Sequence, residues 1–316
     1  MTGWSEADIP PLDGAVAVVT GANSGLGLRS ATVLAEHGAR VLLACRNKHK
    51  GEAARDTIRE LGGDAELVPL DLADLDSVAR AAEQIREDTG DRVDILINNA
   101  GVMMTPKRRT AQGFEQQIGI NHLGHCALTW RLVPALRGAA APRVVSLSSI
   151  AARSGRIALH DLNFEHRRYG PAAAYGQSKL ATLLFALELD VRARAAGWNL
   201  CSVAAHPGYT ASELTRNAGR SQGGALLGRI GGAVEAVFGQ PVSIGALPQL
   251  YSATAADTRG GEYIGPGGPG ELRGRPRRVS LRNAAGKETT QRLLWELSAE
   301  LTGLSGHLGE GGADPA

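Results

Sequence analysis

Tyr175 and Lys179 stand four residues apart in AAAYGQSKLATLLFALELD, residues 172–190. The stretch reads as a helix: Leu180, Leu183, Leu184, Leu187 and Val191 recur at helical spacing, and Gly197 closes the segment. Four residues make a little over one turn, so phenol and ammonium stack on one face. With a period of about 3.6 residues, both flank the apolar stripe roughly a quarter-turn from its centre. There they would be partly desolvated and still open to a cleft. Taken alone, the pair reads more simply as a snorkelling lysine beside a half-buried tyrosine. The rest of the chain has to decide.

VVTGANSGLGLRSATVLAEHG follows a β-rich run and opens a helical pattern. Its glycines Gly21, Gly25 and Gly27 are spaced G-x-x-x-G-x-G, which differs from G-x-G-x-x-G but can do the same job. Glycine permits a tight turn and lets a pyrophosphate approach the backbone at a positive helix N-terminus. Gly21, Asn23, Ser24, Gly25, Leu26 and Gly27 are therefore cofactor-loop candidates. In LLACRNKHK, Cys45 stands where an NAD site usually places an acid, and Arg46 follows. Arg46 could fork onto a 2′-phosphate, which favours NADP over NAD; a solvated helix start is the plain alternative.

Asp71, with Leu72 beside it, could accept from an adenine amino group, while Asp74 suits a helix N-cap. The run Asn98, Asn99, Ala100 and Gly101 suits a turn that admits an adenine ribose, though alone it could be any turn. Asn121 lies in an apolar helical segment, where asparagine is a poor helix former, so a polar task is expected of it. His122 and His125 have no third ligand nearby, so a metal site is not expected. SLSSIA brings Ser148 and Ser149 to a strand's carboxyl end, and HPGYTASEL adds Pro207 and Gly208 at the next. No G-x-S-x-G elbow surrounds Ser149, which disfavours a hydrolase nucleophile.

These residues need a scaffold. Strand candidates at 15–20, 40–45, 65–70, 93–98, 143–148, 199–206 and 261–265 alternate in the first half with helical patterns at 25–37, 48–61, 74–89 and 113–137. Continuous apolar strands between helices point to a parallel sheet covered on both faces. Right-handed crossovers then make the fold class α/β, a doubly wound parallel sheet of Rossmann type. No linker divides the chain before Gly265, so one main domain is expected over 12–270, with a substrate lid at about 209–240. A C-terminal extension over 271–305 carries an amphipathic helix near 288–302, and 306–316 reads as a frayed tail.

The chain of 316 residues is 43% apolar and 21% charged, ordinary for a soluble globular enzyme. A net charge of +2 gives no reason to expect nucleic acid or an anionic membrane as partner. The basic run LRGRPRR at 272–278 lacks interleaved aromatics and reads as a solvated loop. No secretory signal and no membrane span are expected. Three scattered cysteines, Cys45, Cys126 and Cys201, suggest a reducing, cytoplasmic setting.

Together the motifs Thr20-Gly21-x-x-x-Gly25-x-Gly27, Asn98-Asn99-Ala100-Gly101, Asn121, Ser149, Tyr175-x-x-x-Lys179 and Pro207-Gly208 resemble the short-chain dehydrogenase/reductase family over about 12–270. NHLGH, HDLNFE and AAHPGYTASEL look most like its retinol-dehydrogenase-like branch. The resemblance implies a catalytic tetrad of Asn121, Ser149, Tyr175 and Lys179 and a nicotinamide cofactor. It makes Tyr175 the general acid or base, with Lys179 lowering its pKa; moving a phenol from about 10 to neutral pH takes about 4 kcal/mol. It gives Ser149 the orientation of the substrate oxygen, and gives Lys179 the nicotinamide ribose. Asn121 would position Lys179, and Pro207, Gly208, Thr210 and Ser212 would line the carboxamide side. The substrate expected is a lipophilic ketone, aldehyde or secondary alcohol; Met103 and Met104 suit either the cleft wall or the core. A non-catalytic NADP-binding regulatory or scaffold protein is the alternative, and an intact tetrad argues against it. Pairing of the helices near 113–137 and 172–196 across a two-fold axis would give a homo-dimer or homo-tetramer.

Overall fold

The computed structural model describes residues 3–210, 240–281 and 287–308. Ser212 and almost all of the expected lid, 209–240, lie outside the described residues, as does 309–316 of the tail. Strands β1 (Val16–Thr20), β2 (Arg40–Cys45), β3 (Asp64–Pro69), β4 (Ile95–Asn98), β5 (Arg143–Leu147), β6 (Cys201–Ala205), β7 (Tyr263–Pro266) and β8 (Pro276–Arg278) form one sheet. Their order is β3-β2-β1-β4-β5-β6-β7-β8; all pairs are parallel except β7 with β8. The helices are α1 (Gly25–Glu36), α2 (Lys48–Glu60), α3 (Leu75–Thr89), α4 (Gln116–Ile118), α5 (Gly124–Arg131), α6 (Val133–Arg137), α7 (Pro171–Ala195), α8 (Val242–Thr254) and α9 (Glu288–Thr302).

Strand side chains alternate between faces, so each buried strand feeds two cores. Val18, Leu96 and Val144 enter one core with α3, α5, α6 and the outer part of α7. Ala17, Val19, Ile97 and Val145 enter the other with α1, α2 and α8. The Asp74 side chain caps α3 by accepting from the Asp76 N–H (3.0 Å), and Gly90 ends that helix with φ +59°.

Three features depart from the pattern read from sequence. The single helix expected over 113–137 is broken: α4 runs into a π-helical turn, Gly119–Leu123, then α5, and Leu132 separates α5 from α6. The helix α8 was not expected at all, since Gly245 and Pro248 interrupt its pattern. The basic run at 272–278 is not a free loop, because Pro276–Arg278 closes the sheet as an antiparallel edge.

The described residues after 270 pack onto the same body. Trp295 of α9 is 3% exposed, stacked on Phe185 of α7 (5.3 Å, 13°) and edge-on to Trp130 of α5 (5.0 Å). This covering helix is why α7 is buried nearly all round rather than along one stripe. Replacing Trp295 with alanine should cost about 3–5 kcal/mol of unfolding free energy, the range for large aromatic truncations in cores. Urea unfolding of both proteins measures it; a change below about 0.5 kcal/mol, as for an exposed site, would show α9 to be peripheral.

Candidate active site

The strand order reverses between β1 and β4, and at the carboxyl ends of the strands there a cleft of about 950 Å³ opens. Gly21, Asn23, Ser24, Gly25, Leu26 and Gly27 line it where β1 passes into α1. Gly21 and Gly25 have φ of +66° and +54°, so a side chain at either would strain the turn. Gly27 answers to a different constraint. A Cβ there would collide with the Gly21 carbonyl and lie 2.5 Å from Asn99 Nδ2. Arg46, Asp71, Leu72, Ala100 and Gly101 continue the lining. Asp71 Oδ1 accepts from the Ala73 N–H (3.0 Å), which folds the strand end into a turn.

Asn98 does not line the cleft. Its side chain points beneath the sheet and donates to Thr129 Oγ1 (3.0 Å), while Asn99 is the amide at the cleft wall. Asn99 Nδ2 donates to the Thr20 carbonyl (2.8 Å), and the Asn99 and Ala100 N–H groups donate to Thr20 Oγ1 (both 2.9 Å). Thr20 Oγ1 in turn lies 2.9 Å from His125 Nε2, and His125 Nδ1 lies 3.2 Å from the Asn121 carbonyl. Burial pushes the His125 imidazole down to about 3, so it is neutral. The network then assigns its proton to Nδ1, with Nε2 accepting from the Thr20 hydroxyl. His122, the other histidine of that segment, pairs with Ser298 Oγ of α9 (2.8 Å). Neither residue was recognisable as a linker from its spacing.

Ser149, Tyr175 and Lys179 meet at the cleft wall; Asn121 stands behind it. Asn121 lies in the π-helical turn, a form that recurs at functional sites. Its Nδ2 donates to the Val102 carbonyl and to Ser178 Oγ (both 2.9 Å), and its Oδ1 accepts from the Val102 N–H (2.8 Å). It thereby clamps the segment after β4 to α7 next to Lys179. Gly101 fills the remaining space: a Cβ there would lie 3.1 Å from Asn121 Oδ1 and 3.4 Å from Lys179 Nζ.

Tyr175 and Lys179 are 6% and 4% exposed, more buried than a pair flanking a stripe would be. Burial lowers the Lys179 ammonium to about 8, and Nζ donates to the Leu147 carbonyl (2.7 Å). Burial also raises the Tyr175 phenol, and its hydrogen bond with Ser149 opposes that rise. Ser148 serves the scaffold: its hydroxyl donates to the Lys179 carbonyl (2.7 Å) and fixes α7 to the end of β5.

Pro207, Gly208 and Thr210 line the far wall, joined by Tyr209 and Leu272. Gln240 holds this turn, donating from Nε2 to the Pro207 carbonyl (2.6 Å) and from its main-chain N–H to Tyr209 O (3.0 Å). Met103 and Met104 line the cleft as expected, Met104 with a left-handed φ of +51°.

The family model for short chain dehydrogenase matches residues 15–223. Retinol dehydrogenase 12 of Mus musculus is 40% identical over 297 residues, 93% of this chain and 88% of its own. Retinol dehydrogenase 13 of Homo sapiens is 39% identical over 304 residues, 95% of this chain and 87% of its own. A crystal structure of an uncharacterized protein from Mycobacterium paratuberculosis superposes with a TM-score of 0.78 at 42% identity, covering 95% of this chain and 98% of that one. A structure described as an NAD(P)-dependent gluconate 5-dehydrogenase from Beutenbergia cavernae, with bound NADP, gives 0.63 at 26% identity, covering 80% and 94%. Ser149, Tyr175, Lys179 and the glycine turn at one cleft, with Asn121 behind its wall, agree with these matches: the chain belongs to the short-chain dehydrogenase/reductase family, in its retinol-dehydrogenase-like branch, and is an oxidoreductase that acts on CH–OH groups with a nicotinamide cofactor.

Proposed function

We propose that the cleft takes NADP(H) in preference to NAD(H) and interconverts a lipophilic ketone or aldehyde with its alcohol, Tyr175 serving as general acid and base. The observation that carries this reading is Tyr175 itself, a buried phenol at the cleft wall, bonded to Ser149, with Lys179 one turn along the same helix. The glycine turn fits a dinucleotide because Gly21 and Gly25 take left-handed φ and Gly27 lets α1 pack tightly on the Gly21 carbonyl, so the turn lines the cleft at the α1 N-terminus. When bound, the nicotinamide ring supplies or accepts the hydride. Tyr175 gives its phenolic proton to the substrate oxygen in reduction and takes one in oxidation. Ser149 orients that oxygen with its hydroxyl. Asn121 does not touch the substrate; it is a positioning residue, acting through the Val102–Ser178 clamp beside Lys179.

The phosphate preference rests on the end of β2. Cys45 is a neutral thiol there, raised by burial to about 11, and Arg46 follows at the cleft wall. A carboxylate at that strand end would repel a 2′-phosphate, and Cys45 leaves the guanidinium unopposed by one. The apolar character of the substrate is supported by Met103, Met104, Ile150 and Leu272 in the lining, and by relatives named for retinol and polyprenol. For assembly, α9 already covers the α5–α7 face, which leaves self-association to other surfaces.

Tyr175→Phe should lower kcat for carbonyl reduction by about 10²–10⁴-fold while leaving dinucleotide affinity within a few-fold, measured by steady-state kinetics and fluorescence titration. Retained turnover would remove Tyr175 from the chemistry. Arg46→Ala should weaken NADPH by about tenfold or more and leave NADH nearly unchanged, as expected for loss of a charged hydrogen bond to phosphate; equal effects on both would sink the NADP preference. With Lys179 held near 8, its cationic form is present below that pH and is lost above it. The kcat/KM for the dinucleotide, which reports the free enzyme, should therefore be level at neutral pH and fall above about pH 8. A profile level to pH 9.5 would mean that the Lys179 charge is not needed for binding.

A further inference from the structure

Beside the tetrad, a buried histidine, a half-buried glutamate and an exposed arginine from three segments form a second polar group that the chemistry described so far does not use. His206, 0% exposed, ends the β6 segment just before Pro207–Gly208. Glu271 lies between β7 and β8, and its Oε2 is 3.0 Å from His206 Nε2. Arg153, on the 3-10 turn Ile150–Ser154 that begins directly after Ser149, pairs with the same Glu271 oxygen and donates from NH1 to the Gly270 carbonyl (3.2 Å). On the other side of the imidazole, the Gly208 N–H donates to His206 Nδ1 (3.3 Å).

Each contact specifies the next. Nδ1 must be the acceptor for Gly208, so the ring proton sits on Nε2 and is donated to Glu271. Burial pushes the imidazole down to about 4 against the pull of Glu271, in keeping with that single-proton form. Gly208 has φ +69°, and a Cβ on it would strike the Leu272 carbonyl, the atom that accepts from the Tyr209 N–H (2.8 Å). Glu271 is itself left-handed at φ +61°, rare for a residue bearing a side chain. A strained glutamate held between a buried histidine and an arginine is a feature that simple packing does not require. The absence of a side chain at Gly265 makes room for the His206 imidazole, which a Cβ there would strike.

We infer that His206, with Glu271 and Arg153, is a positioning group that fixes the Pro207–Gly208 turn against the Ser149 segment and so sets the nicotinamide end of the cleft. This rests on the proposed cofactor reading. His206 does not line the cleft; it acts through the Gly208 N–H on one side and through Glu271 on the other. Its influence should be local to one half of the dinucleotide, because the adenosine half is held by the glycine turn and Arg46 at the far end.

The test compares NADPH with adenosine 2′,5′-bisphosphate, which lacks the nicotinamide half, by calorimetric titration. His206→Ala should weaken NADPH by about tenfold and leave the bisphosphate within about twofold, since only one end loses its hydrogen bonds. His206→Asn, which restores an acceptor for the Gly208 N–H in an Asx-type turn, should recover most of the loss. Should His206→Ala not fold, Glu271→Gln gives the same comparison, with a smaller loss confined again to NADPH. Equal weakening of both ligands would make the group a general scaffold and overturn the inference, as would unchanged NADPH affinity. Wild-type protein that binds neither ligand would overturn the cofactor reading, and this inference with it; wild-type binding with indifferent variants overturns the inference alone.

Discussion

The cleft depends on one buried amide. Asn121 spends its side chain on Val102 and Ser178 and its carbonyl on His125, so a single residue joins the segment after β4, helix α7 and, through His125 and Thr20, the glycine turn after β1. Asn121 lies within the π-helical turn Gly119–Leu123, and its carbonyl also accepts from Thr182 Oγ1 of α7 (2.9 Å). In a low-dielectric interior such a network rigidifies its members when every group is satisfied and costs heavily when one is not. Asn121, His125 and Thr20 form a linear chain of donors and acceptors, with His125 neutral so that it can play both parts.

Much of this was legible. The glycine spacing, the strand rhythm and the Tyr–Lys interval all sit where the covalent period of helix and strand requires. Asn98 shows a signal available in the sequence and not used. Leu96 faces the core shared with α5, and a strand repeats every two residues, so Asn98 must face the same way, toward Thr129. Asn99, past the strand's last pairing, is the one free to turn to the cleft. The histidines of NHLGH had no such rule, since their partners Ser298 and Thr20 come from opposite ends of the chain.

The illegible parts share a cause: elements whose stability comes from what covers them. The strand β8 has three residues, one a proline and two arginines, and exists because β7 offers it an edge. The helix α8 carries Gly245 where Thr210 presses in and Pro248 within its length, so its periodicity is faint. It is held instead by burial against α1, where Gln249 donates to the Leu26 carbonyl (3.1 Å) and to Ser30. Read from sequence, the burial of α7 was underestimated because the aromatic cover from Trp295 lies beyond the Gly- and Pro-rich stretch that looked like a boundary. That stretch is the β7–β8 turn, and Glu271 within it reaches back to His206.

Burial sets the direction in which the cleft leans. It raises the Tyr175 phenol and lowers the Lys179 ammonium, favouring the uncharged form of each, and Ser149 offsets only part of the first. On the proposed reading, carbonyl reduction asks the phenol to be protonated at the start, which the chain's own residues already secure. Oxidation asks the same phenol to part with its proton against its surroundings. Lys179 Nζ is at the same time engaged with the Leu147 carbonyl (2.7 Å). Proton acceptance by Tyr175 then depends on positive charge that an oxidised ring carries and a reduced ring does not. The same pocket is thus a ready acid in one direction and a conditional base in the other, and that asymmetry follows from burial rather than from any additional residue.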